Sequence, residues 1–186
     1  MIIGLTGTFA AGKDAIADYI AKKGFEHFST GEEVAEIAKE KGIKNTRDNL
    51  RELANDLRDE YGPEFLSRRV IEKKAKSNKI IITGLRQPGE IEYLKSLGDF
   101  YLIAVDAPTK VRFLRMQERK RPGDPETLEQ MVAKEEKEME SKGLNAQKIH
   151  ECMAMADYLI INEKGFNELY KEVDRVVDDI NKKKSS

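Results

Sequence analysis

The 186 residues carry 33 lysines and arginines against 34 aspartates and glutamates, a formal net charge of −1, so no general charge draws the chain to nucleic acid or an acidic membrane. Hydrophobic residues make up 39% and charged ones 36%, enough apolar matter for a sizeable core and too much for a disordered chain. Cys152 is the single cysteine, which excludes an intrachain disulfide and a zinc-binding cysteine cluster, and no signal peptide or apolar run of about twenty residues is present. The expectation is a cytoplasmic protein with one domain over residues 1–186, monomeric or homodimeric, acting on a small molecule rather than on nucleic acid or membrane.

Ile2, Ile3 and Leu5 form a short apolar run, as a buried parallel strand would. Gly7 to Lys13 then read G-x-x-x-x-G-K, the phosphate-cradling loop, and Ala15, Ile16, Tyr19 and Ile20 follow on one helix face. Strand, glycine loop and helix are the context this motif requires. Gly7 and Gly12 can adopt angles closed to other residues, so the N–H groups of Thr8, Phe9, Ala10, Ala11 and their neighbours can converge on a phosphate. The helix start adds its positive end, and Lys13 adds a point charge for the β- and γ-phosphates. Asp14 stands where a serine or threonine usually follows the lysine. Its carboxylate is a hard oxygen ligand and the candidate contact for Mg²⁺, directly or through water.

Further strands are expected at Phe25–Phe28, Lys79–Thr83, Phe100–Val105 and Tyr158–Ile161, with helical patterns between them. Alternating strands and helices argue an α/β protein with a parallel sheet. Three helical patterns, marked by Val34 and Ile37, by Leu50 to Leu57, and by Phe65 to Ala75, fall between the second and third strands. That is more than one crossover needs and suggests a lobe of about 31–77 inserted beside the sheet. Pro125 is expected to open a charged helix toward Met139, and a small lid region is expected at about 119–142. The basic turn Arg119 to Asp124 is its mobile corner, and the tail Asn181 to Ser186 reads as a frayed end.

The ends of the strands carry the candidate chemistry. Ser29, Thr30 and Gly31 follow the second strand, where ligands bind in open α/β sheets. Ser29 or Thr30 can equally cap the next helix. Arg86 and Gln87 follow the third strand, where an arginine can take a phosphate in bidentate fashion. Thr83 stands where an acidic residue often ends this strand. Arg112, Arg115 and Arg119 share a helix face after the fourth strand, leading to Arg121. Arg119 and Arg121 are the candidates for cations around a transferring phosphoryl group. Arg47, Arg51 and Arg58 can share a face in the inserted lobe, one of them clamping an acceptor phosphate. Asp106 is expected to orient a loop or cap a helix, and neither His27 nor His150 has metal-ligand spacing.

Taken together, Gly4 to Asp14, Phe28 to Gly31, Val105 to Pro108 with Arg112 to Arg119, and Ala156 to Asn162 resemble the P-loop nucleoside monophosphate kinase superfamily. The resemblance is nearest to dephospho-CoA-kinase-like and adenylate-kinase-like proteins, including the kinase-like module fused to some deoxycytidylate deaminases. The Lys13-Asp14 pair is similar to that of phage-type deoxynucleoside monophosphate kinases. The resemblance implies a five-stranded sheet of order 2-3-1-4-5. It implies that Gly7 to Ala15 hold the phosphates of ATP and that Thr30 and Gly31 contact the acceptor. It places Arg86 on the acceptor phosphate, Arg115 or Arg119 in the lid, and Asn162 to Gly165 near the ATP base. The chain departs from adenylate kinases at Glu32-Glu33-Val34-Ala35, where they carry an arginine, and at Thr83, where they carry an aspartate.

Phosphotransfer from ATP with Mg²⁺ to a nucleoside or deoxynucleoside monophosphate is the leading expectation, because that acceptor is already an anion and needs no strong base. Dephospho-CoA kinase is the second reading, disfavoured because its family usually has an aspartate pair where Ser29-Thr30-Gly31 stands. A nucleotide-binding regulator without turnover is the third.

Overall fold

The computed structural model describes residues 1–73, 75–120, 124–139 and 148–185. Along the chain run β1 (Ile2–Gly7), α1 (Lys13–Ala21), β2 (Glu26–Ser29), α2 (Thr30–Glu40), α3 (Arg47–Tyr61) and α4 (Phe65–Lys73). There follow β3 (Ile80–Thr83), α5 (Pro88–Ser96), β4 (Phe100–Asp106), α6 (Thr109–Arg119), α7 (Leu128–Met139), α8 (Ile149–Ala154), β5 (Tyr158–Ile161) and α9 (Phe166–Ser185). The strands form one parallel sheet in the order β2-β3-β1-β4-β5, as the family resemblance implies.

Both faces of the sheet are covered, which is why its strands read as continuous apolar runs rather than alternating ones. Successive side chains point to opposite faces. Ile81, Ile103 and Val105 pack with Ile16 and Ile20 of α1 and Val173, Val176 and Ile180 of α9. Ile80, Ile82 and Leu102 pack with Val70, Ile91, Leu94 and Cys152 on the other side. Cys152 is thus a buried small residue, and burial pushes its thiol up to about 12, which leaves it an inert thiol. A separate cluster of Val34, Ile37, Leu53, Leu57 and Leu66 binds α2, α3 and α4 together.

Three elements differ from the sequence expectation. The helix toward Met139 begins at Leu128 rather than Pro125, because the Thr127 hydroxyl accepts from Gln130 N at 3.2 Å and caps it there. The six-residue α8 is too short to show a helical period and was not expected. The tail is not frayed where it is described. Through Ser185 it is the end of α9, and Lys183 Nζ donates to Tyr158 Oη at 2.8 Å and pairs with Asp179 at 3.0 Å.

Candidate functional site

The carboxyl ends of β1, β3 and β4 converge on the loop between β1 and α1. Gly7 opens that loop with φ +131°, and a Cβ there would lie 1.9 Å from Val105 O. Thr8 N donates to Val105 O at 3.2 Å, and Thr8 Oγ1 donates to Asp106 Oδ1 at 2.6 Å. Asp106 Oδ1 also accepts from Ala107 N at 2.8 Å, so this carboxylate orients the loop. Ala10 takes φ +60° and Gly12 takes φ +101°, the left-handed angles that turn the loop into the first turn of α1. Asn162, buried after β5, donates from Nδ2 to Ala11 O at 2.8 Å. Arg115 Nη2 in turn donates to Asn162 O at 3.0 Å and to Oδ1 at 3.1 Å. The loop is therefore braced from β4 on one side and from β5 and α6 on the other.

Lys13 Nζ folds over the loop and donates to Gly7 O at 2.9 Å and Thr8 O at 2.7 Å. Enclosure is the largest cause that lowers its pKa, and the nearby Arg86, Arg112 and Arg119 guanidinium groups lower it further, to about 7. The unfolded chain holds this proton up to about 10.5 and the folded one only up to about 7, so the charge's cost is full below 7 and vanishes by about 10.5. Replacing Lys13 with methionine removes that cost. The variant's melting temperature relative to the parent should be most favourable at pH 6 to 7 and fall steadily as pH rises toward 10. A difference independent of pH would mean that Lys13 carries no perturbed proton.

Two cavities open beside the loop, and Lys13 lines the first of them. One, of about 560 Å³, is lined by Ala10, Gly12, Lys13, Asp14, Ala15, Arg115 and Asn162. The other, of about 500 Å³, opens between the sheet and α2–α4 and is lined by Thr30, Gly31, Arg47, Arg51 and Arg58. Phe9, Arg86 and Arg119 line both. A third hollow of about 630 Å³, beside Thr8, Asp106, Arg112 and His150, is lined by neither Arg86 nor Arg119. The first two cavities adjoin at their three shared residues.

The candidate residues fall into place unevenly. Thr30 Oγ1 donates to Gly84 O at 2.9 Å and fastens the end of β2 to that of β3, while Ser29 Oγ caps α2 by accepting from Glu32 N at 3.3 Å. Arg51 is on the wall of the second cavity, with Nη2 3.4 Å from Asp48. Gln87 is buried beneath the Arg86 loop and lines neither cavity. Arg119 forms a two-point pair with Asp124, at 2.9 and 3.0 Å, and its guanidinium lies 4.7 Å from the Phe9 ring centre. Arg47 lies 4.2 Å from the same ring, so Phe9 joins α3 to α6 across the loop. Arg121 lies outside the described residues, as do 121–123 and 140–142 of the expected lid. Asp14 is exposed on the first turn of α1. Among the described residues no group of three or more acidic, histidine or cysteine side chains could hold a metal ion. No helix among them is long and apolar enough to cross a membrane.

Some functional geometry escapes the sequence reading. Arg112, read as part of a basic face, is 5% exposed; it donates to Ala107 O at 2.8 Å and Phe9 O at 3.3 Å and pairs with Glu135. Glu90 Oε2 accepts from Arg86 N and Gln87 N, each at 3.0 Å, and so shapes the Arg86 loop. The Gln87-to-Glu90 spacing ahead of an apolar helix was a capping-box signal for that contact.

A P-loop at the centre of a β2-β3-β1-β4-β5 sheet, its lysine in a cavity that shares Phe9, Arg86 and Arg119 with a second one, defines a P-loop kinase-like nucleotide-binding protein. The chain belongs to the AAA domain family, whose model matches residues 3–143, and to the UPF0200 proteins. It is 31% identical over 190 residues to a UPF0200 protein of Pyrococcus horikoshii, covering 97% of both chains. It is 31% identical over 179 residues to one of Hyperthermus butylicus, covering 95% of this chain and 93% of the relative. In fold it is similar to shikimate kinase from Bacteroides thetaiotaomicron, with a TM-score of 0.63 at 16% identity over 97% of this chain and 98% of the other. Shikimate kinase from Acinetobacter baumannii in complex with shikimate gives a TM-score of 0.61 at 18% identity, over 100% and 95%.

Proposed function

We propose that the protein transfers the γ-phosphoryl group of ATP to a nucleoside or deoxynucleoside monophosphate. The observation that carries this reading is the pair of cavities, one lined by Lys13 and the P-loop and the other by Thr30 and Gly31, that share Phe9, Arg86 and Arg119. ATP would occupy the side with Gly12, Lys13, Arg115 and Asn162, its phosphates on the loop from Gly7 to Ala15. The acceptor would occupy the side with Thr30 and Gly31. An acceptor phosphate oxygen then attacks the γ-phosphorus as the bond to the β-phosphate oxygen breaks, and ADP leaves. Charge builds on the transferring oxygens, and Lys13, Arg86 and Arg119 are the cations beside them. Mg²⁺ fits the donor set as a partly hydrated ion held by Asp14 and the nucleotide's own phosphates, and it would supply charge neutralisation there.

The charge of the acceptor cavity favours an anionic acceptor. Among the described residues five arginines line it, Arg47, Arg51, Arg58, Arg86 and Arg119, against one acid, Asp124, which Arg119 already holds. A hydroxyl acceptor, as in dephospho-CoA kinase, benefits from a carboxylate base, and among the described residues no unengaged carboxylate lines this cavity. The deciding experiment is a coupled ADP-release screen of ATP and Mg²⁺ against all nucleoside and deoxynucleoside monophosphates, dephospho-CoA and shikimate. Release with a monophosphate is expected; ATP binding with no release for any acceptor would leave a regulatory nucleotide-binding module. In the same assay Arg86→Ala should raise the acceptor's KM about 10- to 100-fold, and that of ATP less, through loss of a charge-assisted pair. Equal effects on both substrates would remove its side-specific role.

A further inference from the structure

Arg58 is 3% exposed, yet it lines the acceptor cavity. Its Nη2 lies 3.7 Å from Oε2 of Glu90, which is itself fully buried. Its Nε and Nη1 have no hydrogen-bond partner among the described residues, and neither has Glu90 Oε1. A buried guanidinium with donors unsatisfied on two of its three nitrogens is costly, and such groups persist where something completes them in the working state. Glu90 cannot do so alone. It stands at one side of Arg58, and its Oε2 is already shared with Arg86 N and Gln87 N. Arg58 lines the acceptor cavity, so a ligand bound there can complete it.

Its neighbours point to the same ligand. The opening turn of α2, Glu32-Glu33-Val34-Ala35, brings no cation to the cavity, and Glu33 is paired with Arg69 of α4. The cations come instead from α3, where Arg47, Arg51 and Arg58 fall on one helix face. Arg58 stands apart from the other two because its partner is a fully buried acid, whereas Arg51 pairs with the exposed Asp48 and Arg47 lies against the Phe9 ring. Glu90 fixes it from behind, and the same carboxylate oxygen fixes the backbone of Arg86. One buried acid thus positions two arginines toward one space.

We propose that Arg58 is a preorganised receptor for a phosphate group in the acceptor cavity, with Glu90 as its positioning residue. The ligand class is a phosphomonoester dianion; this rests on the phosphotransfer reading only for the identity of the molecule that carries the phosphate. A guanidinium already desolvated and aligned gives a planar, strongly directional contact that a lysine ammonium does not reproduce. The site would therefore read the acceptor's phosphate rather than its sugar hydroxyls.

The test fills the P-loop with a non-hydrolysable ATP analogue and Mg²⁺, then titrates nucleoside 5′-monophosphates, the matching nucleosides and inorganic phosphate by calorimetry. Arg58→Ala strands Glu90 and can fail to fold, so Arg58→Lys, which keeps a charge beside Glu90, is the working variant. The parent should bind at least one phosphate-bearing probe. Arg58→Lys should weaken that binding about 10- to 100-fold, with the nucleoside and the ATP analogue changed by no more than about twofold. Equal phosphate affinity in parent and variant, or no phosphate bound by the parent, overturns the receptor and reduces Arg58 to a tie between α3 and α5. Monophosphate turnover that is unaffected in Arg58→Lys overturns the receptor and leaves the kinase reading intact. Inorganic phosphate bound through Arg58, with no monophosphate bound or phosphorylated, keeps the receptor and sinks the kinase reading.

Discussion

Lys13→Met should lower phosphoryl transfer about 10²- to 10³-fold, the range seen when one preorganised charge-stabilising donor is removed. Lys13 Nζ already sits over the loop, donating to Gly7 O and Thr8 O, with Arg86 and Arg119 close enough to depress its pKa. Entering phosphates reverse that balance. Their negative charge favours the ammonium form, so the group that is half charged near pH 7 in the empty protein becomes fully charged around ATP. ATP binding at pH 8 should therefore take up a proton, visible as a dependence of the calorimetric heat on the buffer's ionisation enthalpy. Lys13→Met should lose that uptake together with the turnover. ATP affinity should fall much less than the rate, since backbone N–H groups and the helix start remain to hold the ground state. Turnover unchanged in Lys13→Met would remove this lysine from the chemistry.

Gly7→Ala should abolish nucleotide binding and strongly destabilise the protein. An added methyl group would meet Val105 O at 1.9 Å and Val105 N at 2.7 Å, both backbone atoms in the central β4. A flexible side chain can move aside; a strand paired on both edges cannot, and β4 is paired with β1 and β5. The positive φ of +131° adds about 1–3 kcal/mol of strain for any residue with a Cβ. Relief requires pushing β1 away from β4, which displaces Thr8 from Asp106 and the phosphate cradle with it. Gly24→Ala is the informative control: its φ is +91°, but a Cβ there meets nothing within 4 Å. It should show the strain alone, a modest drop in melting temperature with ATP binding retained. Equal losses in the two variants would assign the effect of Gly7 to backbone angle and not to its contact with β4.

Much of this architecture is legible from the sequence because its signals are local. A buried parallel strand is an uninterrupted apolar run, so Ile80 to Ile82 and Leu102 to Val105 announce themselves without knowledge of their neighbours. The P-loop is a set of backbone angles that only certain residues tolerate at fixed spacing, so Gly7, Gly12 and Lys13 mark a strand, a turn and a helix start at once. The strand order followed from family resemblance rather than from periodicity, since no property of one strand names its neighbour.

The identity of the groups that meet at the site is a different matter. Arg58 and Arg112 look like any of the 33 basic residues in the sequence, and helical spacing reads a charged stripe as a solvated face. Only the fold, which sets Arg58 of α3 beside Glu90 of α5 and Arg112 of α6 against the loop, leaves them 3% and 5% exposed and paired with Glu90 and Glu135. The contacts of Phe9 with Arg47 and Arg119, and of Asn162 with Ala11, likewise join segments far apart in the chain. The sequence by itself determined the phosphate cradle and the sheet's strands, because backbone angles and apolar runs are written in consecutive residues. Tertiary structure alone decided which arginines are buried and which face the acceptor cavity, because desolvation and pairing depend on what the crossovers bring alongside.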